Sequence, residues 1–196
     1  MSQRGANVTL LDYSEAALEK AKSLFANFDC TGQFIKTDAF NIPNSLLNNF
    51  DISMSFGLAE HFLYPERLQI FNSHFLVLKQ NGLSFISVPN VFCFPYRIAQ
   101  IALKLFNRCK LLEVPFTHSE LRKIAYRVGY YPYEIVGSSF IQAIDEFLIK
   151  NLIHFIAKRI GMKTFLNSQN KIKKEKTTIL DNYLGYSLIL IGCKKR

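Results

Sequence analysis

The chain has few cysteines, and none of them is paired in a CxxC motif. Cys30, Cys93, Cys109 and Cys193 are spread over 196 residues. That spread excludes zinc-ligand spacing and argues against a disulfide framework, leaving reduced thiols in a cytoplasmic protein as the simplest reading. No apolar h-region opens the chain, and acids arrive at Asp12 and Glu15, so no signal peptide is expected. A clean transmembrane span is also lacking. The longest apolar stretch, Ile135 to Ile160, is broken by Asp145, Glu146 and Lys150, whereas a span needs roughly 18 or more largely uncharged residues. The nine glycines are scattered and form no Gly-x-Gly turn, and no internal repeat is visible.

What is present fits one domain. The chain is 49% hydrophobic, enough to bury a core at this length. Charge divides it in two: residues 1–90 hold 6 Lys and Arg against 8 Asp and Glu, and residues 91–196 hold 18 against 7. A basic second half suggests an anionic partner such as a membrane surface, nucleic acid or an acidic substrate. A solvated basic face with a basic loop accounts for the same numbers.

The N-terminal half alternates strand and helix. Val8–Leu11 is an apolar, β-branched run of the kind covered on both faces. Ser14 is a cap for a helix carrying Ala17, Leu18, Ala21, Leu24, Phe25 and Phe28 at helical spacing. Strands are expected at Gly32–Ile35 and Phe50–Phe56. Pro65 opens a helix with Leu68, Phe71, Phe75 and Leu78 inward. Asn81-Gly82 ends that helix, and Leu83–Val88 follows as a strand. Alternation of this kind predicts parallel βαβ units with helices on both faces.

The second half departs from that order. A helix is expected from Pro95 to Asn107, with Ile98, Ile101, Ala102 and Leu105 on one side and Arg97, Lys104 and Arg108 opposite. Thr117, with Glu120 three residues on, reads as a capping box starting a helix to Val128. Tyr130–Val136 reads as a strand and Phe140–Ile160 as a long apolar helix. Residues 167–176 read as a lysine-rich loop, and Tyr186–Cys193 as the final strand.

Candidate binding residues stand where the strands end. Asp12 closes the first strand, where a carboxylate can accept from both hydroxyls of a ribose. Asp38 follows the next strand, and Phe56-Gly57 follows the one after. Each of these acids also has a plain structural reading, as a turn or helix-start residue. Glu60 and His61 are the candidates for substrate-side chemistry, His61 as a general base near neutral pH. They serve equally as residues that stabilise the turn before Pro65.

The succession LLDYSEAALEKAK, TDAFNIP, FDISMSFGLAEHF and FNSHFLVLKQNGLSFISVPN resembles the class I S-adenosylmethionine-dependent methyltransferases, in particular their small-molecule, quinone-type branch. The resemblance covers residues 4 to about 90 and extends beyond that only by order of elements. It implies a doubly wound, mostly parallel Rossmann-like α/β sheet with helical insertions in the C-terminal half. It also implies S-adenosyl-L-methionine as cofactor, with Asp12 on the ribose, Tyr13 and the Asp38-Ala39 pair at the adenine, and Phe56-Gly57 at the methionine moiety. No metal ligand is implied.

The family's glycine-rich first motif and its first strand have no counterpart here, so the resemblance points to an N-terminally truncated member. A late start site, a degenerate gene or a partner chain completing the sheet would each explain this. The expectation is one domain over residues 1–196, with a partial cofactor-binding half (1–90) and a basic, helix-rich substrate and cap half (91–196). Its function would be methyl transfer to a small or lipid-like acceptor, with weak or no cofactor binding by this chain. Localisation would be cytoplasmic, or peripheral at the inner membrane surface. A non-catalytic remnant or interaction module retaining the fold is the alternative. A nucleic-acid methyltransferase is disfavoured, because Ser55-Phe56-Gly57-Leu58 replaces the Asn/Asp-Pro-Pro-aromatic turn of the base-amine enzymes.

Overall fold

A computed structural model of the chain describes residues 1–105, 113–138, 140–145 and 178–195. The elements in chain order are β1 (Thr9–Asp12), α1 (Glu15–Asn27), β2 (Gln33–Lys36), β3 (Phe50–Phe56), α2 (Glu66–Val77), β4 (Leu78–Pro89) and α3 (Phe94–Leu105). They are followed by α4 (His118–Val128), β5 (Tyr130–Ser138), α5 (Phe140–Ile144), α6 (Ile179–Leu184) and β6 (Ser187–Lys194).

The strands form two sheets. β1 and β2 pair in parallel, Leu10 opposite Phe34, as a two-stranded sheet. The second sheet has the order β3-β4-β6-β5. In it β3 and β4 run parallel, while β6 is antiparallel to both of its neighbours. The expected mostly parallel sheet is therefore corrected to a mixed one. The last strand enters between β4 and β5, which lets two antiparallel ladders close the C-terminal half. Among the described residues no strand lies between β1 and β3, and the two strands do not pair with each other.

Local chemistry explains the element ends. The Ser14 hydroxyl accepts from the Ala17 N–H at 3.3 Å, and that of Thr117 from the Glu120 N–H at 3.0 Å. The reciprocal half of the expected capping box is absent, because the Glu120 carboxylate pairs with Arg67 at 2.8 Å instead. α2 ends at Val77, earlier than expected. Asn81 (φ +64) and Gly82 form an irregularity inside β4 rather than a helix stop.

The core lies on one face of the four-stranded sheet. Ile70 and Phe71 of α2 and Leu121, Ile124 and Ala125 of α4 pack on Ile86 and Val88 of β4, Leu188 and Leu190 of β6 and Tyr130 of β5. Burying one such aliphatic side chain contributes about 1.5–3 kcal/mol. The opposite face carries Ile52, Met54 and Phe56 beside Leu83, all at least 37% exposed. The expectation of helices on both faces thus fails for this sheet within the described residues. β1 is likewise only half-buried, since a two-stranded sheet with one helix cannot cover both of its faces.

Two helices differ from their sequence reading. On α3 the expected apolar side is the exposed one, with Ile98 at 54% and Leu105 at 78%, while Tyr96 and Gln100 are buried. On α1 only Leu18 is buried, and Leu24 and Phe28 are exposed. Most of the expected Phe140–Ile160 helix and all of the lysine-rich loop lie outside the described residues.

Between α2 and β3, His74 Nδ1 and Ser53 Oγ share a hydrogen bond of 2.6 Å. Burial lowers the His74 pKa to about 4, so the ring is neutral in the fold, whereas the unfolded chain takes up the proton below about 6.5. Stability is therefore fully present above pH 6.5 and falls as the pH drops from 6.5 towards 4, by up to about 3 kcal/mol. Urea midpoints between pH 7 and pH 4 should show that loss, and His74→Asn should flatten it.

Candidate functional site

Every candidate residue lies at or just beyond the carboxyl end of a parallel strand, where open α/β sheets bind their ligands. Asp12 is the last residue of β1 and Tyr13 follows it. Asp38 and Ala39 come just after β2, Phe56 is the last residue of β3 and Gly57 is the next. Glu60 and His61 belong to a short 3-10 turn, Ala59–His61, between β3 and α2.

The Asp12 Oδ1 atom accepts from the Ser14 N–H at 2.8 Å. This fixes the carboxylate at the start of α1 and leaves its second oxygen without a hydrogen-bond partner among the described residues. Asp38 does the same for its own loop, with Oδ1 accepting from the Phe40 N–H at 2.9 Å. That loop is pinned to the core: Ser73 Oγ donates to the Ala39 carbonyl at 2.7 Å, and the Phe40 ring meets Phe62 edge-on at 5.0 Å. Tyr13 is 79% exposed and Phe56 66%, so their rings are available to stack on a ligand.

Gly57 holds a left-handed conformation (φ +76), and a Cβ built there would stand 3.2 Å from Glu60 Oε1. A side chain at this position would be strained and would crowd that carboxylate. The Gly57 N–H bonds to the Ser87 carbonyl at 3.2 Å, which keeps the turn against β4.

Glu60 is 4% exposed, and its Oε2 has no hydrogen-bond partner among the described residues. Burial raises its pKa, and the nearby Glu113 adds to the rise. The Glu60 carbonyl accepts from the Val114 N–H at 2.9 Å, which brings the 113–116 segment across the turn. His61 is half-buried on the same turn.

Around Glu60 stands a group that sequence reasoning missed. The Tyr96 hydroxyl donates to Glu113 Oε2 at 2.9 Å, and Gln100 Nε2 donates to Tyr96 Oη at 3.1 Å and to the Glu113 carbonyl at 3.0 Å. The Tyr186 ring meets Tyr96 edge-on at 5.3 Å. Burial raises the Tyr96 and Tyr186 pKa values, and Glu113 raises both further, so both phenols stay protonated. The available signal was the pair Tyr96 and Gln100, four residues apart on one side of α3. The more apolar opposite side of the helix obscured it.

Residues 1–82 match the family model described as a methyltransferase domain. Solved structures of low sequence identity share the fold. A SAM-dependent methyltransferase of Thermotoga maritima shares it with a TM-score of 0.62 at 15% identity, over 96% of this chain and 73% of that one. Magnesium protoporphyrin IX methyltransferase of Synechocystis PCC 6803, solved with bound S-adenosylhomocysteine, gives 0.60 at 12% identity, over 99% and 67%. The Burkholderia thailandensis 1,6-didemethyltoxoflavin-N1-methyltransferase, solved with its acceptor and S-adenosylhomocysteine, gives 0.57 at 12%, over 99% and 64%. The chain spans 54% of the length of another structural match, a protein of Bordetella parapertussis. No curated protein sequence matches the chain. The chain shares the α/β fold of these methyltransferases.

No described helix is long and apolar enough to cross a membrane. Among the described residues no group of His, Cys, Asp and Glu could hold a metal ion.

Proposed function

We propose that this chain serves methyl transfer from S-adenosylmethionine to a small acceptor. The observation that carries the reading is the placement of Asp12, Asp38 and Gly57 at three successive strand ends, within residues that match the methyltransferase domain model. The cofactor would supply a methyl group on a sulfonium, which needs alignment more than acid–base help.

The residues present fit its nucleoside end. Asp12 offers a fixed carboxylate to the ribose, Tyr13 an exposed ring, and Asp38 an exposed carboxylate for the adenine amine. At the methionine end, Gly57 keeps space free next to Glu60. Glu60 and His61 stand on the acceptor side, His61 as a base for acceptors that must lose a proton. β1 and β3 each keep an unpaired edge among the described residues, so few backbone donors surround the cofactor and weak binding is the expectation.

Calorimetry with S-adenosylhomocysteine tests the reading. Binding should be measurable and should weaken at least tenfold in Asp12→Asn, which keeps an oxygen for the Ser14 N–H but loses the carboxylate charge. Binding unchanged in Asp12→Asn would contradict it.

A further inference from the structure

Glu60 presents a buried carboxylate oxygen with no hydrogen-bond partner among the described residues, near a second carboxylate and two tyrosines. Leaving such an atom unpaired is costly, and a ligand that supplies the missing donor recovers that cost. Three neighbouring donors are committed elsewhere. The Tyr96 hydroxyl serves Glu113, the Gln100 amide serves Tyr96 and the Glu113 carbonyl, and the Arg67 guanidinium serves Glu120, Phe62 and Val114. What remains is an acceptor oxygen beside a second carboxylate, with Arg67 already neutralised by Glu120 and His61 on the same turn, which favours a donor that carries positive charge. The rings of Tyr96 and Tyr186 add cation–π attraction for the same charge.

We propose that the Glu60–Glu113 pair, walled by Tyr96 and Tyr186, recognises a protonated amine, and that the methyl acceptor is this amine nitrogen. The second clause rests on the methyl-transfer reading above; the first does not. Gly57, exposed at the strand end, adjoins this carboxylate: a Cβ there would stand 3.2 Å from Glu60 Oε1. The ammonium gives one proton to Glu60 Oε2: an N–H bond breaks, an O–H bond forms, and the nitrogen recovers its lone pair. That pair forms the new N–C bond at the sulfonium methyl as the C–S bond breaks, its electrons staying on sulfur. The elevated pKa of Glu60 suits it to hold the proton.

The probes are phenethylamine and its neutral isostere 2-phenylethanol, titrated calorimetrically into the protein with and without S-adenosylhomocysteine. Phenethylamine should bind at least tenfold more tightly. Glu60→Gln should abolish the preference, and Glu113→Gln should weaken it. Equal affinity for the two probes in the unmodified protein would overturn the proposal, as would a preference that survives in Glu60→Gln. Amine binding without any S-adenosylhomocysteine binding would sink the methyl-transfer reading and leave the amine site standing. The reverse result would sink the amine site alone.

Discussion

Arg67→Ala is expected to cost about 3 kcal/mol of stability, because it removes a buried guanidinium and leaves a carboxylate that is only 23% exposed without its partner. Arg67 is 3% exposed. Its Nε donates to the Phe62 carbonyl at 3.0 Å, its Nη1 to Glu120 Oε1 at 2.8 Å, and its Nη2 to the Val114 carbonyl at 2.5 Å. The guanidinium also lies 3.9 Å from the centroid of the Phe116 ring. One side chain thus ties α2 to α4 and to the segment that crosses the Glu60 turn. Removal leaves a carboxylate and two carbonyls without their donor. Urea denaturation of Arg67→Ala, Glu120→Gln and the double variant should give a coupling energy above about 1 kcal/mol. A single variant within about 0.5 kcal/mol of the parent would show that the pair is replaceable.

Gly137→Ala should be comparably damaging for a steric reason. A Cβ at Gly137 would stand 1.9 Å from the Asp181 carbonyl oxygen and 2.7 Å from the Asn182 Cα. These are backbone atoms of α6, so β5 and α6 would have to separate. Separation breaks the Gly137 N–H bond to Asn182 Oδ1 at 3.1 Å and the Phe140 N–H bond to Asp181 Oδ1 at 2.9 Å. It also strains Asn90, whose Nδ2 donates to the Tyr183 and Gly185 carbonyls, both at 3.0 Å. Overpacking of this kind costs typically about 1–3 kcal/mol, and the lost hydrogen bonds add about 1 kcal/mol each. For a domain of this size the melting temperature should fall by roughly 6–20 °C. A fall under about 2 °C would mean that α6 does not hold this position against β5.

Elements whose ends are set by their own residues were legible in the sequence. Phe50–Phe56 was read at its observed bounds. α4 was read almost residue for residue, since Thr117 caps it and Gly129 closes it in a left-handed conformation. The strand-end residues Asp12, Asp38 and Gly57 were legible because chain order alone fixes where a βα unit turns.

What depended on distant partners was not legible. The insertion of β6 between β4 and β5 follows from packing across the sheet, and no local pattern encodes it. α6 was missed because a single turn and a half shows no periodicity, although Thr178 and Asp181 form a capping box there. Asn81-Gly82 carries a strong turn signal, yet β4 absorbs it as an irregularity because Leu83–Pro89 pair with β6 on one edge and Leu83–Ser87 with β3 on the other. Arg67 and Glu120, 53 positions apart, resemble ordinary surface charges until the fold buries them together.

Backbone amide NMR during titration with S-adenosylhomocysteine up to ~1 mM tests the central claim most directly, since it reads weak binding as well as strong. Shifts should gather at Asp12 and Tyr13, Asp38 and Ala39, and Phe56 and Gly57, with the carboxyl ends of β5 and β6 unaffected. Shifts elsewhere, or none at that concentration, would contradict a cofactor site at the ends of these strands.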